Sequence, residues 1–315
     1  MRRFATRTAS ASAGAPLALL LTLAALGARA ACAAAAPAAP LPSFDTSTSL
    51  LVVAPHPDDE TLCCAGVIQR VVRAGGRASV VWITSGDASR LDVLVLDRTL
   101  LWTAARQRQL GAARMQEARA ATALLGVTPG GQLFLGYPDQ GLLALLTEYR
   151  SSPYSSKYTA VAAVPYPDTL CAGHPYTGQS LERDFAAVLA RVRPTLILAP
   201  SPRDSHPDHR AAGLLTRAAS ARADLLSAVR EWIVHGGEGW PSPRELMLGV
   251  PLTPAPRAAD TRPVVFALEP AEEDRMLDAL RAYDTQMRTI APFLVAFVRT
   301  TELFGALTQA DLAAP

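Results

Sequence analysis

Short apolar runs that end in turn residues, each followed by a segment of helical length, recur from residue 50 onward. This alternation constrains the fold more than any other feature of the chain. Leu50–Ala54 (LLVVA) is a continuous apolar run closed by Pro55, the pattern of a strand covered on both faces. Asp59–Val72 reads as a helix ended by Gly75-Gly76, and Ala78–Thr84 (ASVVWIT) as a second strand stopped by Ser85-Gly86. The same reading gives a helix over Arg106–Leu125, a strand over Gln132–Leu135, a helix over Leu181–Val192 and a strand over Thr195–Ala199. A helix over Ala211–Ala223, strands over Glu231–His235 and Val264–Leu268, and a helix over Ala271–Arg288 complete the series. Strand followed by helix, repeated, builds an α/β fold: an open, mostly parallel sheet with helices on both faces. Half of the 315 residues are hydrophobic, enough to bury a sizeable core, and neither an internal repeat nor a flexible linker divides residues 50–315, which are expected to form one domain.

The N-terminus has a different character. Arg2, Arg3 and Arg7 precede a short apolar run, Leu17–Leu26, and then small residues at Ala28, Ala30 and Ala31, the order of a secretory signal peptide. That run is too short to cross a bilayer, so no membrane span is expected. Residues 1–31 are therefore read as a signal peptide and 32–49, rich in Ala, Pro, Ser and Thr, as a disordered linker, which makes the protein periplasmic or extracellular. Cys32 invites lipid anchoring, but Arg29 stands where a lipobox requires an apolar residue. An exported chain can keep disulfides, so Cys63 or Cys64 could bridge Cys171, or all three could stay as buried thiols. The formal charge is only +2, from 30 basic and 28 acidic residues, which lacks the basic excess of a nucleic-acid-binding protein. Nothing in the sequence reports the oligomeric state.

One segment breaks the alternation. Between Asp139 and Ser180 there is little periodicity, and five of the seven tyrosines fall there: Tyr149, Tyr154, Tyr158, Tyr166 and Tyr176. Such a stretch is either a binding loop, with tyrosine faces for sugar rings, or an excursion that packs on the body.

Two histidine–acid clusters carry the chemistry. Ala54-Pro55-His56-Pro57-Asp58-Asp59-Glu60 begins where the first strand ends, and Asp204-Ser205-His206-Pro207-Asp208-His209-Arg210 follows the Thr195–Ala199 strand. Ligands of open parallel sheets bind beyond the carboxyl ends of the strands, so both clusters face the same rim. Three of the five histidines lie in them, and each contains His-Pro-Asp, where proline restricts the backbone beside a candidate ligand. Imidazoles and carboxylates gathered on one rim point to a metal site.

The pair PHPDDE and HPDH resembles the signature of the LmbE-like, or PIG-L, zinc-dependent N-deacetylases. Thr84-Ser85-Gly86, the segment Arg114 to Gly126 with its Arg-x-x-Glu start, Leu135-Gly136-Tyr137-Pro138-Asp139, and the C-terminal Tyr283-x-x-Gln286 and Phe297–Phe304 are also similar to family segments. The resemblance covers most of residues 50–305 and implies a Rossmann-like sheet. It implies that His56, Asp59 and His209 are the metal ligands, a set that suits Zn²⁺ and leaves a position for water; Fe²⁺ or Co²⁺ could occupy the same donors. It further implies that Asp58 is the general base and that His206, as imidazolium, stabilises the tetrahedral oxyanion. Asp208 either raises the pKa of His206 and orients it or makes a structural hydrogen bond, and Glu60 is expected to cap its helix and pair with an arginine. Asp204, standing where some members carry a tyrosine, and Asp139, His174 and His235 are candidates for substrate contact. Cys63 and Cys64 replace the family's small residues.

The implied activity is hydrolysis of an N-acyl, usually N-acetyl, group from an amino sugar or glycan. Two alternatives share these residues. Two histidines and a carboxylate also form the facial triad of non-haem Fe(II) oxidoreductases, although that motif reads His-x-Asp rather than His-x-x-Asp. A non-catalytic glycan-binding protein would keep the fold without needing Asp58.

Overall fold

The computed structural model describes residues 40–96, 102–259, 261 and 263–307. The expected signal peptide, its cleavage zone and Cys32 lie outside the described residues. In chain order the elements are β1 (Ser49–Ala54), α1 (Asp59–Arg73), β2 (Arg77–Thr84), α2 (Arg90–Leu96), α3 (Ala104–Leu124), β3 (Gln132–Tyr137) and α4 (Leu142–Leu146). They continue with α5 (Gly178–Val192), β4 (Leu196–Pro200), α6 (Pro207–Arg222), β5 (Val229–Trp232), β6 (Val264–Ala267), α7 (Pro270–Arg281), α8 (Asp284–Val295) and β7 (Thr301–Ala306).

The strands form one sheet in the order β3-β2-β1-β4-β5-β7-β6. The five strands from β3 to β5 are parallel, and β7 runs antiparallel to both β5 and β6. β1, buried at every residue, lies between β2 and β4. The chain winds outward from β1 to β2 and β3, then returns to the other side of β1 to make β4 and β5. The reversal opens a crevice beyond the carboxyl ends of β1 and β4, the place where α/β sheets hold their ligands. One layer of helices contains α1, α3 and α7, and α4, α5 and α6 pack together in the other.

Local chemistry sets several boundaries. Thr177 caps α5 by accepting from the backbone N–H of Ser180, and Glu269 with Glu272 makes a capping box at α7, where Pro270 takes the first helical position. The single helix expected over Ala271–Arg288 breaks at Ala282–Tyr283, because the Tyr283 ring turns inward and its hydroxyl donates to Glu60.

The N-terminal edge differs from expectation as well. Residues 40–49 were expected within the disordered linker, but Phe44 packs on Phe266 at 6.1 Å and Asp45 closes a turn with Ser47 and Thr48. The irregular stretch contains only α4 and an isolated bridge between Ala163 and Pro175. Its tyrosines pack on the body: Tyr176 is buried in the core, Tyr166 donates to Asp87, Tyr158 donates to Gln140, and Tyr149 meets Tyr154 edge to face. The cysteines also pair otherwise than expected. Cys63 and Cys64, neighbours on α1, form a disulfide with each other, and Cys171 remains a free buried thiol beyond β3.

Candidate metal centre and active site

Both clusters are built on strand ends. The carbonyl of Pro55 accepts from the N–H and the hydroxyl of Thr84, which ties the chain leaving β1 to the end of β2. His56 occupies that turn, Asp58 precedes α1, and Asp59 is its first residue. On the other side of the crevice, Ser205 N–H donates to the His235 carbonyl, His206 caps α6, and Pro207 at the first helical position carries the chain to His209.

Asp59 Oδ2 is the meeting point. It lies 3.3 Å from His56 Nδ1 and 3.2 Å from His209 Nε2, and it also accepts from the His56 backbone N–H. Each imidazole is backed by carboxylates on its far side. His56 Nε2 is 3.3 Å from both Asp139 Oδ1 and Asp208 Oδ2, and His209 Nδ1 is 3.2 Å from Asp204 Oδ2. Carboxylates behind metal-binding imidazoles fix the ring orientation and raise ligand basicity.

The residues fit a divalent cation. His209 is fully buried, yet neither ring nitrogen forms a hydrogen bond of acceptable geometry, although both lie close to carboxylate oxygens. Two imidazole nitrogens and one carboxylate oxygen that converge without bonding one another well are a donor set for Zn²⁺ or a similar ion. The surrounding charge agrees: Asp58, Asp59 and Asp139 line the pocket, and Arg114 is the only arginine or lysine among its described lining residues.

Burial would raise the Asp59 carboxyl, but the neighbouring His209 and His56 hold it well below the usual range. Asp58 behaves oppositely. Its burial, followed by the charge of Asp59, pushes it well above the ordinary carboxyl value, against the pull of Arg114 and His56. Burial disfavours a charged His209, but Asp59 and Asp204 lift it to about 9. The backbone of Asp58 has φ 112°, a region that side-chain-bearing residues rarely adopt.

Several sequence expectations need correction. Asp208 does not hold His206 with its carboxylate. That carboxylate faces His56 and accepts from the N–H groups of Gln140 (2.5 Å) and Leu142 (3.0 Å). It is the Asp208 backbone N–H that donates to His206 Nδ1, at 3.2 Å, which leaves the His206 proton on Nε2. His206 is moreover pushed down to about 4, by burial first and then by His56 and His209, against the raising charge of Asp208, which disfavours its imidazolium form. Asp204 is fully buried and accepts from the N–H groups of His206, Val234 and His235 as well as facing His209, so it is not free to meet substrate. Glu60 is also fully buried. It caps the start of α1 as expected, accepting from the Asp58 backbone N–H at 3.3 Å, and also accepts from Trp82, Thr61 and Tyr283, but it pairs with no arginine among the described residues.

Of the remaining candidates, Asp139 and His235 line the pocket, although His235 lies in the loop after β5 rather than in a strand. His174 does not line it; its ring is bonded to Asp184 instead. The sequence reading missed Arg114, Gln140, Ser89 and Phe293 as lining residues. Arg114 donates to the Gly86 carbonyl, and Phe293 stacks on His235 at 5.8 Å. The Arg-x-x-Glu start of its helical segment was the available signal for Arg114. The others enter through loops and α8, where no pattern marks them.

The fold and the convergent donors place a candidate metal centre at the carboxyl rim of an open α/β sheet. Residues 51–220, just over half of the chain, match the family described as PIG-L, GlcNAc-PI de-N-acetylase, and the chain belongs to that family. It is similar to a 1D-myo-inositol 2-acetamido-2-deoxy-alpha-D-glucopyranoside deacetylase of Actinosynnema mirum, 30% identical over 76% of this chain and 80% of the relative. The protein of the same description from Nakamurella multipartita is 28% identical over 85% of this chain and 82% of its own. Among solved structures, the A40926 pseudoaglycone deacetylase Dbv21 matches with a TM-score of 0.54 at 18% identity, covering 85% of this chain and 99% of its own, a likeness of fold.

Proposed function

We propose that the protein is a zinc-dependent N-deacetylase that hydrolyses the acetamido group of an amino sugar to acetate and a free amine. The observation that carries the reading is the placement of Asp59 Oδ2 between His56 Nδ1 and His209 Nε2, with Asp58 beside them at the pocket. His56, Asp59 and His209 would hold the ion. A divalent cation bound there supplies Lewis acidity toward water and the amide carbonyl. Asp58, whose raised pKa suits it to both accepting and returning a proton, takes one from the attacking water and delivers it to the departing amine. His206 donates from Nε2 to the oxygen of the tetrahedral intermediate. Asp139 and Asp208 hold the His56 ring, and Asp204 holds the His209 ring.

Amino-sugar specificity is supported by the family and by the names of the relatives. The pocket wall formed by Leu62, Ile290 and Phe293 gives a sugar an apolar face to lie on. Purified protein, stripped of metal and reloaded with Zn²⁺, Fe²⁺ or Co²⁺, is to be assayed for amine release from a panel of N-acetylated sugars. Release that follows Zn²⁺ loading is expected; zinc bound at stoichiometry with no release from any member would overturn the amino-sugar reading. Residues 1–31 are proposed to direct export, so that the substrate is an envelope or extracellular amino sugar. N-terminal sequencing of the exported protein should find a start within the alanine-rich segment, and intact Met1 in the cytosolic fraction would refute export.

A further inference from the structure

A second group of metal-type donors lies in the irregular segment before α5. Cys171, His174 and Asp184 present one ligand atom each, all within 4.8 Å of one another. The other such groups among the described residues all include His56 or His209; this one shares no residue with them. His174 Nδ1 is 2.7 Å from Asp184 Oδ2, and the same oxygen accepts from the Tyr137 hydroxyl at 2.7 Å. The Cys171 sulfur lies within 4.8 Å of both the His174 and the Asp184 ligand atoms. Cys171 is free of any disulfide and buried, Asp184 is buried, and the His174 ring is 41% exposed.

We propose that Cys171, His174 and Asp184 form a second divalent-metal site, of zinc type, that fastens the irregular segment to the body of the protein. The Cys171-x-x-His174 spacing is closed into a turn by the His174 N–H donating to the Cys171 carbonyl, with Gly173 at φ 77°, and the turn brings both side chains against Asp184 on α5. Metal bonds of about 2.0–2.3 Å set tetrahedral ligands about 3.3–3.8 Å apart, so the cluster needs only a small adjustment around an ion. Thiolate with imidazole and carboxylate selects a zinc-like ion over magnesium or calcium, which prefer oxygen alone.

The exchange balances. One divalent ion enters, the thiol proton leaves to solvent, and the neutral imidazole carries its single proton on Nε2 so that Nδ1 is free to bind the ion. Thiolate, carboxylate and ion then sum to zero charge, the arrangement that burial favours. Tyr137 steadies the carboxylate from outside the ligand set, as supporting groups do at metal sites. Because Tyr137 ends β3 two residues before Asp139, an ion here would also stiffen the chain that backs His56.

This second site stands independently of the deacetylase reading and is tested by Co²⁺ titration of the full, metal-stripped chain. The donors at His56, Asp59 and His209 include no sulfur, so a near-ultraviolet thiolate-to-cobalt band reports only a cysteine site. The expected result is that band together with a second cobalt ion per chain. Cys171→Ser should abolish the band and lower the stoichiometry by one ion while the visible cobalt absorption of the other site remains. His174→Ala, at a half-exposed side chain, should do the same and guards against misfolding of the cysteine variant. Absence of the band from the wild-type chain, or a band that survives Cys171→Ser, would overturn the proposal.

Discussion

Asp58 is buried, its carboxyl is raised well above the ordinary value by burial and by the charge of Asp59, and its backbone sits at φ 112°. Strain of this kind persists only where the surroundings over-determine it, and it concentrates at functional positions. Asn tolerates positive φ better than most residues, so Asp58→Asn removes the base with little backbone disturbance. Turnover in that variant should fall by about 10²–10⁴-fold with metal content unchanged, read as kcat beside elemental analysis. Full turnover would remove Asp58 from proton transfer. Asp204 plays a different part, holding His209 from behind. Asp204→Asn should weaken metal affinity by about 10–100-fold in a chelator competition, and unchanged affinity would reduce it to a clamp on its own loop. The donors His56, Asp59 and His209 are legible in the sequence because such residues must cluster at strand ends to converge at all. The duties of Asp139, Asp204 and Asp208 are not legible in the same way. The motif neighbours of Asp208 are His206 and His209, whereas its carboxylate meets His56, 152 residues away.

At the scale of elements, the site depends on how closely α6 approaches the end of β4. Gly213 lies one turn after His209 on the same face of α6, and a methyl group there would stand 2.4 Å from the Pro200 carbonyl oxygen. Backbone cannot yield as a side-chain tip does, so Gly213→Ala must push α6 away from the strand and move His209 from Asp59. The expected outcome is a loss of about 1–3 kcal/mol in chemical denaturation, accompanied by weaker metal binding. Lost stability with intact metal affinity would show that the helix tilts without moving His209. Periodicity reveals the core elements because β1, β2 and β4 are almost wholly buried. It is blurred in β7, where Glu302 shares the inward face with Phe304 and the apolar Leu303 lies at an intermediate position. It fails at the break between α7 and α8, which rests on a hydrogen bond from Tyr283 to Glu60, 223 residues away in sequence.

For the whole molecule, the arrangement concentrates buried acid on both sides of α1, and the two groups pull stability in opposite directions with pH. Asp59, Asp139 and Asp204 are held below the ordinary carboxyl range, mainly by histidines, so their contribution is present above their unfolded pKa and lost as acid is added. Glu302 acts the other way. It accepts from the N–H groups of Gly66 and Val67, which favours its charged form, but full burial outweighs these bonds and lifts it from 4.5 to about 8. A carboxyl raised on folding binds its proton more tightly in the native state. Its stabilising contribution is therefore complete below about pH 4.5 and drains away as pH rises through about 8. Every tenfold gain in proton affinity on folding corresponds to about 1.4 kcal/mol, so the change across that window is on the order of a few kcal/mol. Unfolding free energies of wild type and Glu302→Gln, measured by denaturant titration from pH 5 to about 9, isolate this group because the histidine-linked acids are common to both. The wild type should lose stability relative to the variant steadily across the window, whatever constant offset the amide introduces. Parallel profiles would mean that Glu302 stays ionised throughout, with the two N–H donors of α1 outweighing its burial.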